Sequence, residues 1–241
     1  MLTDEVLDYI FDGQPHILAP SLTGWLASSR RFTSFVNTFR DKIRKKLRVT
    51  QDYESLLDLR LELETAYLLL REPRLSLVYE PHLSEKVRGA DFAVTFTTSL
   101  TFMVEVTRLR AATQEPSLAI PASNITERLS DAVCSKLAQL QPQHSNVLLV
   151  GVDSLRLTPL DLRAAMLRLQ QRAERDDAAF LQRYRFHDRA GFFRHYQQLS
   201  EILVRETQLQ TDESVVVWVN PQAKRPLPSK VRTVLYHSQT I

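Results

Sequence analysis

Two carboxylates, Asp91 and Glu105, flank a stretch whose residue pattern predicts two β-strands joined by a short loop. Hydrophobic and polar residues alternate over residues 92–96 and again over 102–106, which is typical of strands with one buried face. An odd-numbered loop at 97–99 places the two carboxylates opposite each other on one face of the hairpin. An even-numbered loop would put them on opposite faces, because successive side chains of a strand alternate between faces.

The chemistry expected of such a pair is divalent-metal binding. Directly opposed residues of an antiparallel pair have β-carbons about 4.5–5.5 Å apart. Mg²⁺ takes carboxylate oxygens at about 2.0–2.1 Å, so one ion could bridge both side chains. Asp91 and Glu105 are therefore candidate ligands of Mg²⁺ or Mn²⁺.

This hairpin resembles the PD-(D/E)xK nuclease superfamily, whose signature is an Asp near a strand start and a Glu-x-Lys on the next strand. Asp91 matches the Asp, and Glu105-Val106-Thr107 matches the Glu-x-Lys with threonine in place of lysine. Ala90 stands where the signature often has proline. The resemblance covers roughly residues 55–152 and implies a restriction-endonuclease-like fold. It also implies a catalytic role for Thr107 as a hydrogen-bonding substitute, and a main-chain ligand, the carbonyl of Val106.

A third acidic ligand is expected on the helix before the hairpin. Residues 52–72 carry hydrophobic residues at helical spacing, and Glu64 falls within one of these hydrophobic rows. A carboxylate facing the core needs a partner, and in the resembled family a helix at this position often adds an acid. Glu62 is expected to project to the polar side with Asp58. The alternative for Glu64 is an ion pair with a nearby arginine, or solvent at the edge of the row.

Lys136 is the candidate for the missing lysine. Asn124 and Glu127 have the spacing of a capping box, which predicts a helix over residues 125–141 with Lys136 at the border of its hydrophobic stripe. Some members of the resembled superfamily carry the lysine on this following helix. The alternative is a lysine whose stem covers the core while its ammonium stays in water. Arg108 and Arg110 are rival sources of positive charge.

The composition narrows the function classes. The 241 residues are 44% hydrophobic, with a single cysteine, Cys134, which excludes an internal disulfide framework and a cysteine-rich zinc site. Five glycines without a glycine-rich loop argue against a nucleotide-binding P-loop or Rossmann site, and six histidines show no ligand spacing. The acidic beginning of the chain and the short hydrophobic runs favour a cytoplasmic protein with no membrane association.

The order of predicted elements indicates an α/β fold with a mixed central sheet flanked by helices. We expect one domain over residues 1–241. It comprises an N-terminal helical extension (1–50), a restriction-endonuclease-like core (52–153) and a C-terminal helix-plus-strand extension of the sheet (154–241). The predicted core elements are a helix at 52–72, strands at 75–79 and in the hairpin, the helix at 125–141 and a strand at 147–152. Further along the chain the predictions are helices at 158–175 and 191–198, strands at 201–205 and 215–219, and a short helix within 226–238.

A basic run provides the second functional indication, although the net charge is only +3. Its residues are Arg40, Lys42, Arg44, Lys45, Lys46 and Arg48. A helix that docks by its hydrophobic stripe could present these cations to a phosphate backbone. The alternative is solvation, or pairing with the nearby Asp52, Glu54 and Asp58. Nucleic acid ranks above a membrane surface as the partner.

The function predicted from the sequence is a metal-dependent nuclease that hydrolyses phosphodiester bonds, with DNA the expected substrate. Asp91, Glu105, Lys136 and Thr107 are the candidate catalytic residues, and Glu64 is the third candidate metal ligand. A nuclease-fold protein that binds nucleic acid without cleaving it is the first alternative. A protein-interaction or scaffold component is the second, and a homodimer is left open.

Overall fold

A six-stranded mixed sheet lies at the centre of the fold in the computed structural model, which describes residues 3–50, 52–81, 89–110, 122–153, 157–207 and 215–239. The strands follow chain order across the sheet: β1 (Leu75–Tyr79), β2 (Phe92–Phe96), β3 (Leu100–Leu109), β4 (Ser145–Val152), β5 (Leu199–Glu206) and β6 (Val216–Val219). The first three pair antiparallel, β3, β4 and β5 pair parallel, and β6 returns antiparallel to β5. The predicted α/β class with a mixed sheet is confirmed.

The helices form two layers, one on each face of the sheet. They are α1 (Thr3–Phe11), α2 (Ala19–Ser28), α3 (Arg30–Val49), α4 (Tyr53–Arg71), α5 (Ala122–Leu137), α6 (Pro159–Glu174), α7 (Ala178–Arg183), α8 (Arg189–Tyr196) and α9 (Ser229–Ser238). Neighbouring residues of β4 show the division. Leu149 belongs to a core shared with α1 to α4 and α9, while Leu148 and Val150 belong to a core shared with α5 to α8. Because successive side chains of β4 point to opposite faces of the sheet, the strand contributes to two separate hydrophobic cores.

Capping residues fix where the helix that approaches the hairpin begins and ends. The side chain of Asp52 accepts a hydrogen bond from the backbone N–H of Ser55 at 2.8 Å, which satisfies a donor in the first turn of α4. At the other end, Arg31 donates to the main-chain oxygens of Leu70 at 2.8 Å and Glu72 at 2.7 Å. These bonds occupy carbonyls that a helix end leaves without intrahelical partners. The predicted helix at 52–72 is confirmed to within one residue at each end.

Two sequence predictions about helices need correction. The helix predicted at 125–141 begins at Ala122 and ends at Leu137, so Asn124 lies inside the helix rather than before it. The Asn124 side chain lies outside the described residues. The helix ends early because the backbone tightens into a turn, in which Gln139 N–H donates to the Lys136 carbonyl at 2.9 Å. The sequence reasoning also missed α7, which is short and is capped by the Asp177 side chain.

Gly151 allows α4 to approach the sheet closely. A β-carbon at this position of β4 would lie 2.5 Å from a methyl of Leu61 and 2.8 Å from the Thr207 methyl. Leu61 is itself only 1% exposed. The position of α4 over the parallel strands therefore depends on the missing side chain.

No helix among the described ranges is long and apolar enough to cross a membrane.

We predict that Gly151→Ala destabilises the protein, because the added methyl overlaps Leu61 in a packed layer. The expected loss in the free energy of unfolding is about 1–3 kcal/mol, measured by urea denaturation. Gly24→Ala is the control, since the new β-carbon in exposed α2 meets nothing within 4 Å. That substitution should be neutral or stabilise by up to about 1 kcal/mol. Equal effects of the two substitutions would contradict the packing argument.

Candidate active site

The hairpin has the register that the sequence predicted. Phe96 pairs with Leu100 and Thr95 with Thr101, so residues 97–99 form the loop. The two threonine hydroxyl oxygens lie 3.0 Å apart, as cross-strand partners should. One position beyond the last ladder pair, this register puts Asp91 opposite Glu105. Both carboxylates are buried, with relative exposures of 6% and 2%.

These acids lie where β3 outruns its antiparallel neighbour. The β2–β3 ladder ends at Phe92 and Val104, whereas β3 continues beside β4 to Leu109. The Asp91 side chain takes over part of the missing pairing, because its Oδ2 accepts the backbone N–H of Val106 at 2.8 Å. A backbone donor that would otherwise lack a strand partner is satisfied, and the carboxylate is held in place.

Glu62, not Glu64, is the acid that α4 brings to the hairpin. Glu64 is buried, with a relative exposure of 4%, but its Oε2 lies 3.3 Å from the guanidinium of Arg205 on β5. The predicted role of Glu64 as a ligand beside Asp91 is therefore wrong in this structure, and its alternative, pairing with an arginine, is what the structure shows. The expectation that Glu62 faces the polar side is also wrong. Side chains two positions apart point to nearly opposite sides of a helix. An error in the predicted orientation of α4 therefore exchanges the two glutamates.

Two further groups hold the Glu62 carboxylate. Its Oε2 accepts the Lys46 ammonium at 2.6 Å and the Tyr79 hydroxyl at 2.8 Å. Burial and the neighbouring Asp91 raise the pKa of Glu62, and Lys46 partly offsets them. Burial lowers the pKa of Lys46, but Glu62 and Glu80 outweigh it, so the net pKa of this lysine is raised. Lys46 is therefore a charged partner at the site, with its ammonium also 2.9 Å from Glu80.

Lys136 reaches the same place from the opposite face of the sheet. It lies in the last turn of α5, and its ammonium contacts Oε1 of Glu105 at 2.6 Å. Its side chain is only 16% exposed, so it does not simply extend into water. The sequence-based position of Lys136 beside the hairpin acids agrees with the structure, and its catalytic role stays a prediction.

These residues line a cleft of about 170 Å³. Its walls come from α4, β3 and α5, and the lining residues are Asp58, Leu61, Glu62, Asp91, Val106, Thr107, Arg108 and Lys136. Thr107 is half-buried and belongs to this lining, as the match to the Glu-x-Lys position implies. The cleft thus brings together Asp91, Val106, Thr107, Lys136 and two acids of α4, and Glu105 contacts Lys136 beside it.

Asp91 is a buried carboxylate whose pKa is raised. Burial, with the repulsion of Glu105 second, raises the pKa of Asp91 from 3.8 to about 6. The Val106 N–H and the ammonium groups of Lys136 and Lys46 act in the opposite direction. A carboxylate in this state gains stability from any added positive charge nearby.

The donor set suits a hard divalent cation. Among the described residues, the hydrogen bonds to the three carboxylates go to one oxygen of each: Oε2 of Glu62, Oδ2 of Asp91 and Oε1 of Glu105. Oxygen ligands of this kind are those that Mg²⁺ and Mn²⁺ prefer. As the side chains stand, no group of three or more His, Cys, Asp or Glu in the described ranges is arranged to hold a metal ion. Lys46 and Lys136 instead supply positive charge to two of the three acids.

The basic run on α3 is used mainly inside the protein. Arg44 and Arg48 pair with Asp12. Lys42 donates to the carbonyls of Tyr79 and Glu80, both at 3.0 Å. The cation of Arg40 lies over the Tyr9 ring, 5.1 Å from its centroid, while Lys45 is exposed.

The acids proposed from the sequence as alternative partners of this run serve elsewhere. Asp52 caps α4, and Glu54 and Asp58 bind Arg108. Arg108 has a side chain only 2% exposed and also pairs with Asp153, so three carboxylates share one guanidinium. Arg110 pairs with Asp58. The two arginines considered as rivals of Lys136 are thus committed to structural ion pairs, and nucleic-acid binding by α3 stays a prediction.

Sequence reasoning missed Glu62, Lys46 and Tyr79. Buried leucines lie on several sides of α4, from Leu59 to Leu70, so the hydrophobic pattern does not single out one face. Lys46 belongs to a run in which Arg44 and Arg48 pair with Asp12 away from the site, and only the packing of α3 against α4 brings it to Glu62. A signal for Tyr79 was its place at the end of β1 in a chain with few buried polar aromatics.

Comparison with models of protein families, with curated proteins and with solved structures finds no match to this chain.

We predict that Asp91→Asn changes the pH dependence of stability. Between about pH 4 and pH 6, native Asp91 keeps a proton that the unfolded chain has lost, given its pKa of about 6. The free energy of unfolding therefore falls as the pH rises through this window. The asparagine variant, which cannot titrate but can still accept the Val106 N–H, should be more stable than the wild type above pH 6, by roughly 1–3 kcal/mol. Urea denaturation across this pH range measures the difference, which should shrink towards pH 4.

Asp177→Asn serves as the control of opposite sign. The backbone N–H of Phe180 and the guanidinium of Arg172 lower the pKa of Asp177. Its ionised form therefore stabilises the protein above the unfolded pKa, and that contribution is lost as the pH falls. This variant should be less stable than the wild type at neutral pH. A neutral-pH loss of stability in Asp91→Asn as well would contradict the assignment of a raised pKa to Asp91.

Proposed function

We propose that this protein is a metal-dependent nuclease that hydrolyses phosphodiester bonds, with DNA as its substrate. The observation that carries the proposal is the proximity of three carboxylates: Glu62 and Asp91 line one cleft with Thr107 and Lys136, and the buried Glu105 lies opposite Asp91 and contacts Lys136. Burying like charges together is unfavourable unless a cation compensates them. A cluster of this kind in a cleft is more common at functional sites than in purely structural packing.

The arrangement of elements also supports the proposal. A helix, three antiparallel strands, a helix and a parallel strand follow one another from α4 to β4. This is the order of the restriction-endonuclease-like core that the sequence resembles. The matched Asp and Glu-x-Lys positions lie at the corresponding hairpin, with Glu62 in place of the acid expected at Glu64.

In the proposed reaction, Glu62, Asp91 and Glu105 would hold Mg²⁺ or Mn²⁺, with the carbonyl of Val106 as a further ligand by resemblance. When bound, the metal lowers the pKa of the attacking water and offsets negative charge that develops on the phosphate. Asp91 keeps its orientation through the Val106 N–H.

The lysines supply the positive charge that Thr107 cannot. In the structure, Lys136 and Lys46 balance the charge of Glu105 and Glu62. A divalent cation on the same carboxylates would repel both ammonium groups and free them to contact the phosphate. Thr107 would orient the water by a hydrogen bond, since a hydroxyl can donate and accept but carries no charge.

A protein that binds nucleic acid without cleaving it is the second candidate. Threonine at position 107 and the direct ion pairs of both lysines with the acids favour it. Salt-sensitive DNA binding, with no cleavage in either Mg²⁺ or Mn²⁺, would select this candidate over the nuclease.

We predict that Glu62→Gln, Asp91→Asn and Glu105→Gln each weaken metal binding and lower Mg²⁺-dependent DNA cleavage by about 100-fold or more. Tb³⁺ luminescence sensitised by Tyr79, whose hydroxyl contacts Glu62, measures metal binding directly. Cleavage of plasmid DNA measures activity. Glu64→Gln is the matched control for metal binding, because this glutamate lies on the same helix but pairs with Arg205. If Glu64→Gln abolished Tb³⁺ binding and Glu62→Gln did not, the assignment of the third ligand would be wrong.

We predict opposite effects of Lys136→Gln on metal affinity and on catalysis. Removing an ammonium 2.6 Å from Glu105 removes a competitor for the cation, so Tb³⁺ should bind more tightly, by about tenfold. Cleavage at saturating Mg²⁺ should nevertheless fall by about 100-fold, because the phosphate loses a positive charge. Lys46→Gln should behave similarly. Exposed Lys230→Gln on α9 controls for the loss of one positive charge and should change neither quantity. Parallel losses of affinity and cleavage in Lys136→Gln would point to a structural role only.

A further inference from the structure

A second cavity adjoins the proposed active-site cleft. It has a volume of about 270 Å³ and lies between α4 and the carboxyl ends of β4 and β5, where Asp153 and Thr207 follow the strands. Leu61 and Arg108 line both spaces, so the cavity and the cleft share a wall. A substrate that reaches one space is therefore next to the other.

One face of α4 forms most of this cavity. Tyr53, Leu57, Arg60, Leu61 and Glu64 follow each other at helical spacing and all line it. Tyr53, at the start of the helix, is 58% exposed, whereas Glu64 at the inner end is 4% exposed. The cavity therefore has an accessible aromatic ring at one end and a buried charged group at the other.

The rim of the cavity is rigidly held. Arg108 binds Glu54 and Asp153, and Thr207 donates its hydroxyl to Asp153. The hydrogen-bonding groups of these side chains are used in contacts with one another, so we assign them a role in shaping the cavity. The side chains with unused bonding capacity lie elsewhere.

The inner end of the cavity carries that unused capacity. Two guanidinium groups, those of Arg60 and Arg205, are close enough to Glu64 to lower its pKa, which burial raises overall. In the described part of the chain, the buried Nε atoms of Arg60 and Arg205 have no hydrogen-bond partner. Arg205 contacts Oε2 of Glu64, which leaves Oε1 as a possible acceptor. Buried donors without partners are rare in folded proteins and call for a ligand or a functional explanation.

We propose that this cavity binds one nucleobase of the substrate next to the scissile phosphodiester. The inference rests on the proposed nuclease function. A base extruded from a stack is read by aromatic or apolar contacts and by hydrogen bonds to its edge. Tyr53, Leu57 and Leu61 provide the first kind of contact, while Arg60 donors and the Glu64 acceptor provide the second.

The charge pattern favours a base over a phosphate group and restricts which base binds. The Glu64 carboxylate at the inner end would repel a phosphate. Arginine donates to the acceptors of guanine, and an acidic side chain accepts from the amino group of cytosine. Guanine and cytosine each offer both a carbonyl acceptor and an amino donor, so they match a paired arginine and glutamate better than adenine or thymine does.

The experiment titrates the full-length protein, in the presence of EDTA, with the 5′-monophosphates of deoxyguanosine, deoxycytidine, deoxyadenosine and thymidine, and follows backbone amide signals by NMR. We expect saturable binding of the deoxyguanosine or deoxycytidine compound, with shifts in residues 53–64, and binding weaker by about tenfold or more for the other two. Leu57→Trp, which fills the cavity, and Arg60→Gln, which removes the donor, should each weaken binding by about tenfold. Arg71→Gln, at an exposed position on the same helix, is the control and should bind as the wild type does.

Several results would overturn the cavity assignment. One is the absence of saturable binding. Another is equal binding of all four nucleotides together with no weakening by Arg60→Gln. The third is displacement of the nucleotide by inorganic phosphate. Because EDTA removes divalent ions, the titration does not depend on catalysis. Asp91→Asn should keep nucleotide binding while losing cleavage. Nucleotide binding by a wild-type protein that cleaves no DNA would reject the nuclease and retain the cavity, whereas cleavage without nucleotide binding would do the reverse.

Discussion

The constraint on which the site depends is the crowding of three carboxylates, two of them buried, where β3 extends beyond β2. Taking such groups out of water is costly, and crowding like charges adds to that cost. The structure compensates them with two lysines from different helices, the Tyr79 hydroxyl and the Val106 N–H. The pKa of Asp91 still rises to about 6, so the compensation is incomplete. In the proposed function, a divalent cation would complete the compensation.

Helix α4 connects this site with the rest of the fold. Its residues Asp58 and Glu62 face the cleft, while Tyr53, Arg60 and Glu64 line the neighbouring cavity. A single helix can serve both spaces because its side chains point in all directions around its axis. Its depth over the sheet is set by the contact of Leu61 with Gly151.

Many of the charged residues that cluster along the sequence form ion pairs in the folded structure. The basic run of α3 predicted a surface for nucleic acid, yet Arg44 and Arg48 share Asp12, and Lys46 is directed into the cleft. Arg108 follows the Glu-x-Lys-like segment directly but is enclosed by Glu54, Asp58 and Asp153. Which charges remain available to a ligand depends on the acids that tertiary packing brings near.

The sequence by itself determined the local elements and the hairpin. Strand alternation and turn parity fixed the opposition of Asp91 and Glu105, and the bounds of β1 and α4 were accurate, because hydrophobic periodicity and capping are local properties. The sequence could not decide between Glu62 and Glu64, since leucines surround α4 and its rotation is set by the sheet beneath it. It could not identify Lys46 or Tyr79 either. Their approach to Glu62 joins α3, α4 and β1, and only the packed tertiary structure brings these segments together.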